Sequence, residues 1–239
     1  YLSHHAQIVN RISSVINDIS EDGTADVTAN YMTTEDSVSN FTKKALTWGT
    51  ENISQFKRKS DGELIISDYL FMPTVRNVPF FPNEPVTMGE SWTAKGKEVH
   101  DMRSYFNMTE PLIIPFEAKY KYVGNTNINN KNLCVIDVDY EFFFQNTKDK
   151  IAKGSLFLAT AGYSKQRLYW DQENGILDHY TEEFRIKMSD VYNNLVEFRG
   201  VSKAEITQAN FSHNNKNIER NHKTVEDLEL KEVNIKKGS

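Results

Sequence analysis

Apolar residues recur at every second position over long parts of this chain, and turn-forming residues separate the runs. In Phe116-Glu-Ala-Lys-Tyr-Lys-Tyr122, Phe116, Ala118, Tyr120 and Tyr122 share one face, while Glu117, Lys119 and Lys121 share the other. Successive side chains of a strand point to opposite faces, so this spacing predicts an antiparallel strand with one solvated side. Residues 133–144 repeat the pattern, with Cys134, Ile136, Val138, Tyr140 and Phe142 inward and Asp137, Asp139 and Glu141 outward. A strand is expected at 155–163. A hairpin of 166–170 and 176–188 follows, turned by Asp171-Gln-Glu-Asn-Gly175, and a last strand at 194–211.

The first thirty-odd residues read as another hairpin, 8–19 and 24–33, around Glu21-Asp-Gly23. Asp-Gly is a strong turn signal, and Ala25, Val27, Ala29 and Tyr31 alternate behind it. Ile8, Ile12, Val15, Ile16 and Ile19 also fit one helical face, but the β-branched side chains favour the hairpin. Polar residues 35–43 suit a short helix or a loop. Strands are then expected at 45–48, 53–58 and 64–71, with Ser60-Asp-Gly62 turning between the last two.

Between these two sets lies Met72-Pro-Thr-Val-Arg-Asn-Val-Pro-Phe-Phe-Pro-Asn-Glu-Pro-Val-Thr-Met-Gly-Glu-Ser-Trp92, which holds four of the six prolines. Pro73, Pro79, Pro82 and Pro85 each fix φ near −65° and remove a backbone donor. The run can be neither a helix nor a central strand, and it predicts an extended, partly polyproline crossover. Gly89 and Trp92 close it, with Trp92 anchoring the next strand. The expected organisation is an N-terminal β lobe (1–72), the crossover (73–92), a C-terminal β lobe (93–211), and a tail (212–239). In that tail a polar linker precedes renewed alternation at 225–235, which reads as the start of a further domain. The expected fold is mainly β, an antiparallel meander forming a curved sheet or half-barrel in two lobes.

Composition narrows the function classes. Hydrophobic residues make up 38% and charged ones 26%, enough apolar surface for a packed core. The net charge of −5 offers no basic face to replace phosphate counterions, so nucleic acid is not an expected partner. The single cysteine, Cys134, excludes a disulfide framework within the chain, and its place on an apolar strand face predicts a buried, inert thiol.

Candidate chemistry is sparse. Glu98 and His100 share a strand face and form the best titratable pair, weakly suggestive of a metal site, with a surface ion pair as the plainer reading. Asp137, Asp139 and Glu141 form a carboxylate ladder that lacks the loop ligands of a Ca²⁺ site and suits a solvated strand face. Asp178 and His179 are adjacent in a strand, so they are expected on opposite faces. Tyr120, Tyr122, Tyr140, Phe142, Tyr180 and Phe184 could line a concave pocket for a lipid or acyl chain, or simply form the core of the sheet. No nucleophile elbow, phosphate loop, dinucleotide fingerprint or His-Glu-x-x-His is present, so no enzymatic activity and no cofactor are expected.

Residues 72–82, Pro85-Val-x-x-Gly-Glu-x-Trp92 and Glu98-Val-His-Asp101 together resemble the N-terminal region of OmpA-family envelope proteins of spirochaetes. The similarity covers about residues 55 to 125. It implies a lipoprotein-like, β-rich domain in the periplasm or at the outer membrane, preceding a module that in many relatives holds peptidoglycan. The expected role is a non-enzymatic structural or interaction domain, with an envelope protein, or the cell wall through that downstream module, as partner. The alternative is a carrier or sensor of an apolar, lipid-like ligand.

Overall fold

A computed structural model describes residues 8–35 and 47–206. The tail from 207 onward, the polar segment 36–46 and the His4-His5 pair lie outside the described residues. Two antiparallel sheets, joined by the proline-rich crossover, hold all of the described strands. The mainly β fold with a curled half-barrel is the one expected.

The first sheet begins with β1 (Asn10–Ile19) and β2 (Ala25–Glu35), turned at Glu21-Asp-Gly23, where Gly23 takes a φ of +80°. The helical alternative for β1 is not adopted. β3 (Thr47–Trp48) and β4 (Asn52–Arg58) pair with β2, and β5 (Leu64–Ile65) pairs with β4. A strand expected to run to Phe71 therefore stops at Ile65. The physical reason lies at Ser67 and Asp68, where Ser67 turns the chain by accepting from Leu70 N–H (3.1 Å) and Asp68 pairs with Arg76.

The crossover carries a short strand of its own, β6 (Val75–Arg76), which pairs with β7 (Ser91–His100). The second sheet then continues through β8 (Leu112–Ile128), β9 (Lys131–Gln145), β10 (Phe157–Asp171), β11 (Ile176–Asp190) and β12 (Leu195–Glu205) as an unbroken meander. The single strand β10 replaces the two expected at 155–163 and 166–170. Its apparent break, Ser164-Lys165-Gln166, keeps the strand's alternation, with Ser164 and Gln166 inward and Lys165 outward, and makes no turn.

Three cross-strand pairs match a glycine to a phenylalanine: Gly96 with Phe116, Gly162 with Phe142, and Gly200 with Phe184. Each ring lies over its glycine, and a Cβ there would sit 2.6 Å from Phe116 Cζ, 2.6 Å from Phe142 Cζ and 3.2 Å from Phe184 Cζ. Bare glycines on the inner face let a sheet fold inward while neighbouring rings keep the surface filled, which is how strong curvature is built into long strands. Leu112, Ile114, Phe116, Tyr120, Val138 and Tyr140 are buried on this inner face. Phe80 and Phe81 of the crossover, with Met102, Phe106 and Met108, pack against it.

The crossover also ties the sheets together. Trp92 Nε1 donates to Phe80 C=O (2.8 Å), and its ring stacks on Tyr120 with centroids 5.2 Å apart. Phe81 N–H donates to Asp61 C=O (2.7 Å), and Phe81 packs on Trp170, which Arg58 of β4 also covers. Gly62 lies against Pro79, so close that a Cβ would collide with the Pro79 carbonyl. Gly89, at φ +92°, donates to Tyr122 C=O at the crossover's far end.

Candidate functional site

Among the described residues, a string of polar groups crosses the middle of the largely apolar inner face of the half-barrel. It starts on β7, where Glu98 is only 4% exposed and its Oε2 lies 2.7 Å from His100 Nε2. The pair expected at the surface is thus internal, because β6 and the crossover cover this end of the sheet. Tyr140 on β9 donates its hydroxyl to Glu98 Oε1 (3.0 Å). Ser164, opposite Tyr140 on β10, donates to Glu182 Oε1 on β11 (2.6 Å), and Gln166 Nε2 reaches the same oxygen at 3.3 Å.

Burial dominates the electrostatics of this string. It pushes the Tyr140 hydroxyl far up, with Glu98 and Glu182 adding to the shift, so that Tyr140 stays a donor. Burial also raises the Glu182 carboxyl, only partly offset by hydrogen bonds from Ser164, Gln166 and Ser202, while Glu98 raises it further. Two carboxylates thus share a poorly solvated space, with a histidine beside one of them. Chemically the string orients and satisfies buried polar groups. Among the described residues no three His, Cys, Asp or Glu side chains stand together as metal ligands, so Glu98 and His100 gain no third donor.

The six aromatics proposed from the sequence divide in two. Tyr120, Tyr140 and Phe142 are buried core, with Tyr140 stacked on Phe116 at 3.9 Å between centroids. Tyr122, Tyr180 and Phe184 are half-buried, and Tyr122 spends its hydroxyl on Asn125 Oδ1 (2.6 Å). The structure brings Tyr140, Phe142 and Phe184 to one inner surface, but the crossover fills much of the space they face. Among the described residues, Val196 and Phe198 on β12 are exposed at the edge of that surface.

The outer face is a ladder of alternating charge. Asp139 lies between Lys119 and Lys165, and Asp137 between Lys121 and Arg167. Arg167 grips Asp137 with two bonds, Nε to Oδ1 at 2.7 Å and Nη2 to Oδ2 at 2.8 Å. Opposite charges directly across antiparallel strands stabilise the pairing and leave Asp137 and Asp139 no surplus charge for a cation, whereas Glu141 stands between Glu117 and Tyr163. A shallow groove of about 710 Å³ runs along this face between Asp137, Arg167, Glu183 and Lys203.

Two features escaped sequence reasoning. Asp178 and His179 were expected on opposite faces, yet His179 Nδ1 lies 2.8 Å from Asp178 Oδ2. The register slips between Tyr169 and Trp170, leaving Asp178 as the extra residue of a bulge, and a bulge re-aims side chains in this way. Burial alone would raise the Asp178 carboxyl, but bonds from Lys131 and His179 hold it below the usual range. Arg76, in the crossover, is fully buried, with its guanidinium on Asp68 and the carbonyls of Ser67, Leu70 and Pro73. A lone arginine among prolines carries no pattern, so only its neighbours reveal the role. Cys134, expected to be buried, is half-exposed with Sγ 3.4 Å from Gln172 Oε1. Its neighbours Leu133 and Val135 are buried instead.

No family model matches the chain, and neither a curated protein nor a solved structure does.

Proposed function

We propose that this chain is a non-enzymatic interaction domain of the cell envelope, which docks a protein partner on the open end of its half-barrel and positions a wall-associated module. The observation that carries the reading is the contrast between the two ends of the inner face. At β7 to β9 it is packed by the chain's own crossover, while at β12 Val196 and Phe198, both on the inner face, are exposed to solvent (Phe198 49%). Large exposed apolar residues clustered on an open sheet edge are the usual mark of a protein contact. The resemblance of about residues 55 to 125 to OmpA-family envelope proteins is the ground for proposing the location.

A second reading draws on the same opening. A lipid-like ligand could enter there and lie against Phe184 and Tyr180, making the domain a carrier or sensor. One experiment separates the two. A photo-crosslinking amino acid replaces Phe198, or as a control the exposed outer residue Phe143, in the full chain in the cells that make it. The interaction reading expects adducts with an envelope protein from position 198 and not from 143. Absence of such adducts, with lipid retained by the purified chain in native mass spectrometry, would overturn it in favour of the carrier.

A further inference from the structure

We propose that the outer edge of β1 pairs with β1 of a second copy of this chain, antiparallel about a two-fold axis at Ser14, so that two five-stranded sheets become one. The proposal goes beyond the interaction reading above and concerns the other sheet. Among the described residues nothing pairs with this edge, although β1 is ten residues long, rich in β-branched side chains and without net charge, Arg11 balancing Asp18. Such an edge, with its row of free backbone donors and acceptors, is a template for another strand.

The self-complementarity of β1 identifies the occupant. Ile12, Ile16 and Ile19 are 59%, 60% and 61% exposed, and all lie on the face of β2 that carries Tyr31, Val27 and Ala25. A strict alternation would put Ile19 on the other side. The bulge at Asn17 brings it back, with Asn17 Nδ2 held by Thr28 Oγ1 at 2.9 Å. Thr34 N–H donates to Val9 C=O (3.0 Å), so the odd residues up to Val15 turn their backbone to β2, and Asn10, Ile12, Ser14 and Ile16 turn theirs to the open edge.

With Ser14 against Ser14 of the second copy, Ile12 meets Ile16 across the axis, both on the apolar face and both with outward backbone groups. Past the bulge the register skips Asn17. Arg11 then stands opposite Asp18 on the other face, at both ends of the pair. One register thus joins the isoleucine stripes, closes two ion pairs and uses the outward hydrogen-bonding groups. A strand pair alone is a small interface, so a micromolar dimer is expected.

Sedimentation velocity across protein concentration tests this. The chain is expected to dimerise reversibly, Ile16→Lys to abolish the dimer, and Arg11→Asp or Asp18→Arg alone to weaken it roughly five- to tenfold, since each opposes like charges twice. The combined Arg11→Asp/Asp18→Arg chain regains the dimer, which a merely structural role for either residue would not produce. All three positions are exposed, and circular dichroism checks that each variant folds. A chain that stays monomeric at high concentration, or a dimer indifferent to these changes, overturns the proposal. Crosslinking from position 198 is independent of β1, so failure here leaves the envelope-partner reading standing.

Discussion

Single residues set the shape of the second sheet. Gly162 has Phe142 over it on one side and the Arg185 carbonyl against it on the other. Adding a methyl group there forces ring and backbone apart in a packed interior, and overpacking of this kind costs about 1–3 kcal/mol. Gly162→Ala is therefore expected to lower the unfolding free energy by that amount, seen as a lower urea midpoint with an unchanged slope of the transition. An unchanged midpoint would mean that the curl does not depend on the glycine. In the sequence this glycine is one of 11, between Ala161 and Tyr163 in a run that alternates without interruption. The alternation predicts a strand, but the need for a bare position comes from the ring on the neighbouring strand, 20 residues away in sequence.

At the scale of elements, the crossover behaves as a packed layer. The prolines announce an extended segment, and that much is read from backbone chemistry alone. Its attachment depends on Arg76, which gathers three carbonyls and Asp68, and on Lys97, which shares Asp68 at 2.6 Å. Removing a buried cation from such a set strands its acceptors, a loss of about 3–5 kcal/mol when a buried pair is broken. Arg76→Ala is expected near the low end of that range, because Asp68 keeps Lys97 and is partly solvated. Chemical denaturation gives the value, and Arg76→Lys, which can reach fewer of the acceptors, should fall between. If Arg76→Ala unfolded like the parent chain, the crossover would be held by apolar packing alone. The hairpin of β1 and β2 shows the opposite relation, since its turn and pairing were both legible locally. The bulge at Asn17 was not, because it preserves a face by breaking the period.

Across the whole molecule, the inner polar string couples stability to pH. Glu182 has its carboxyl raised above the ordinary 4.5, chiefly by burial. A raised carboxyl contributes stability that is complete below its unfolded value and is lost as pH climbs through its folded value. Melting temperature is therefore expected to fall as pH rises from about 4.5 into the neutral range. Glu182→Gln, neutral at every pH and still able to accept from Ser164, should flatten that slope and raise the melting temperature on the neutral side. The same slope in parent and variant would assign the pH dependence to other groups.

Alternation, turn residues and proline chemistry determined by themselves that this chain is a β meander in two parts with a proline-rich seam. They also marked which face of β8 and of most of β9 is apolar. These are local properties, set by the period of the strand and the conformations that glycine, asparagine and proline allow. The tertiary structure alone decided that Glu98 and His100 are internal, that Asp178 meets His179, that Asp137 and Asp139 of the carboxylate ladder are neutralised and that Arg76 is enclosed. Each of those depends on what another strand brings alongside, and a bulge or a covering segment changes that neighbour without leaving a period in the sequence.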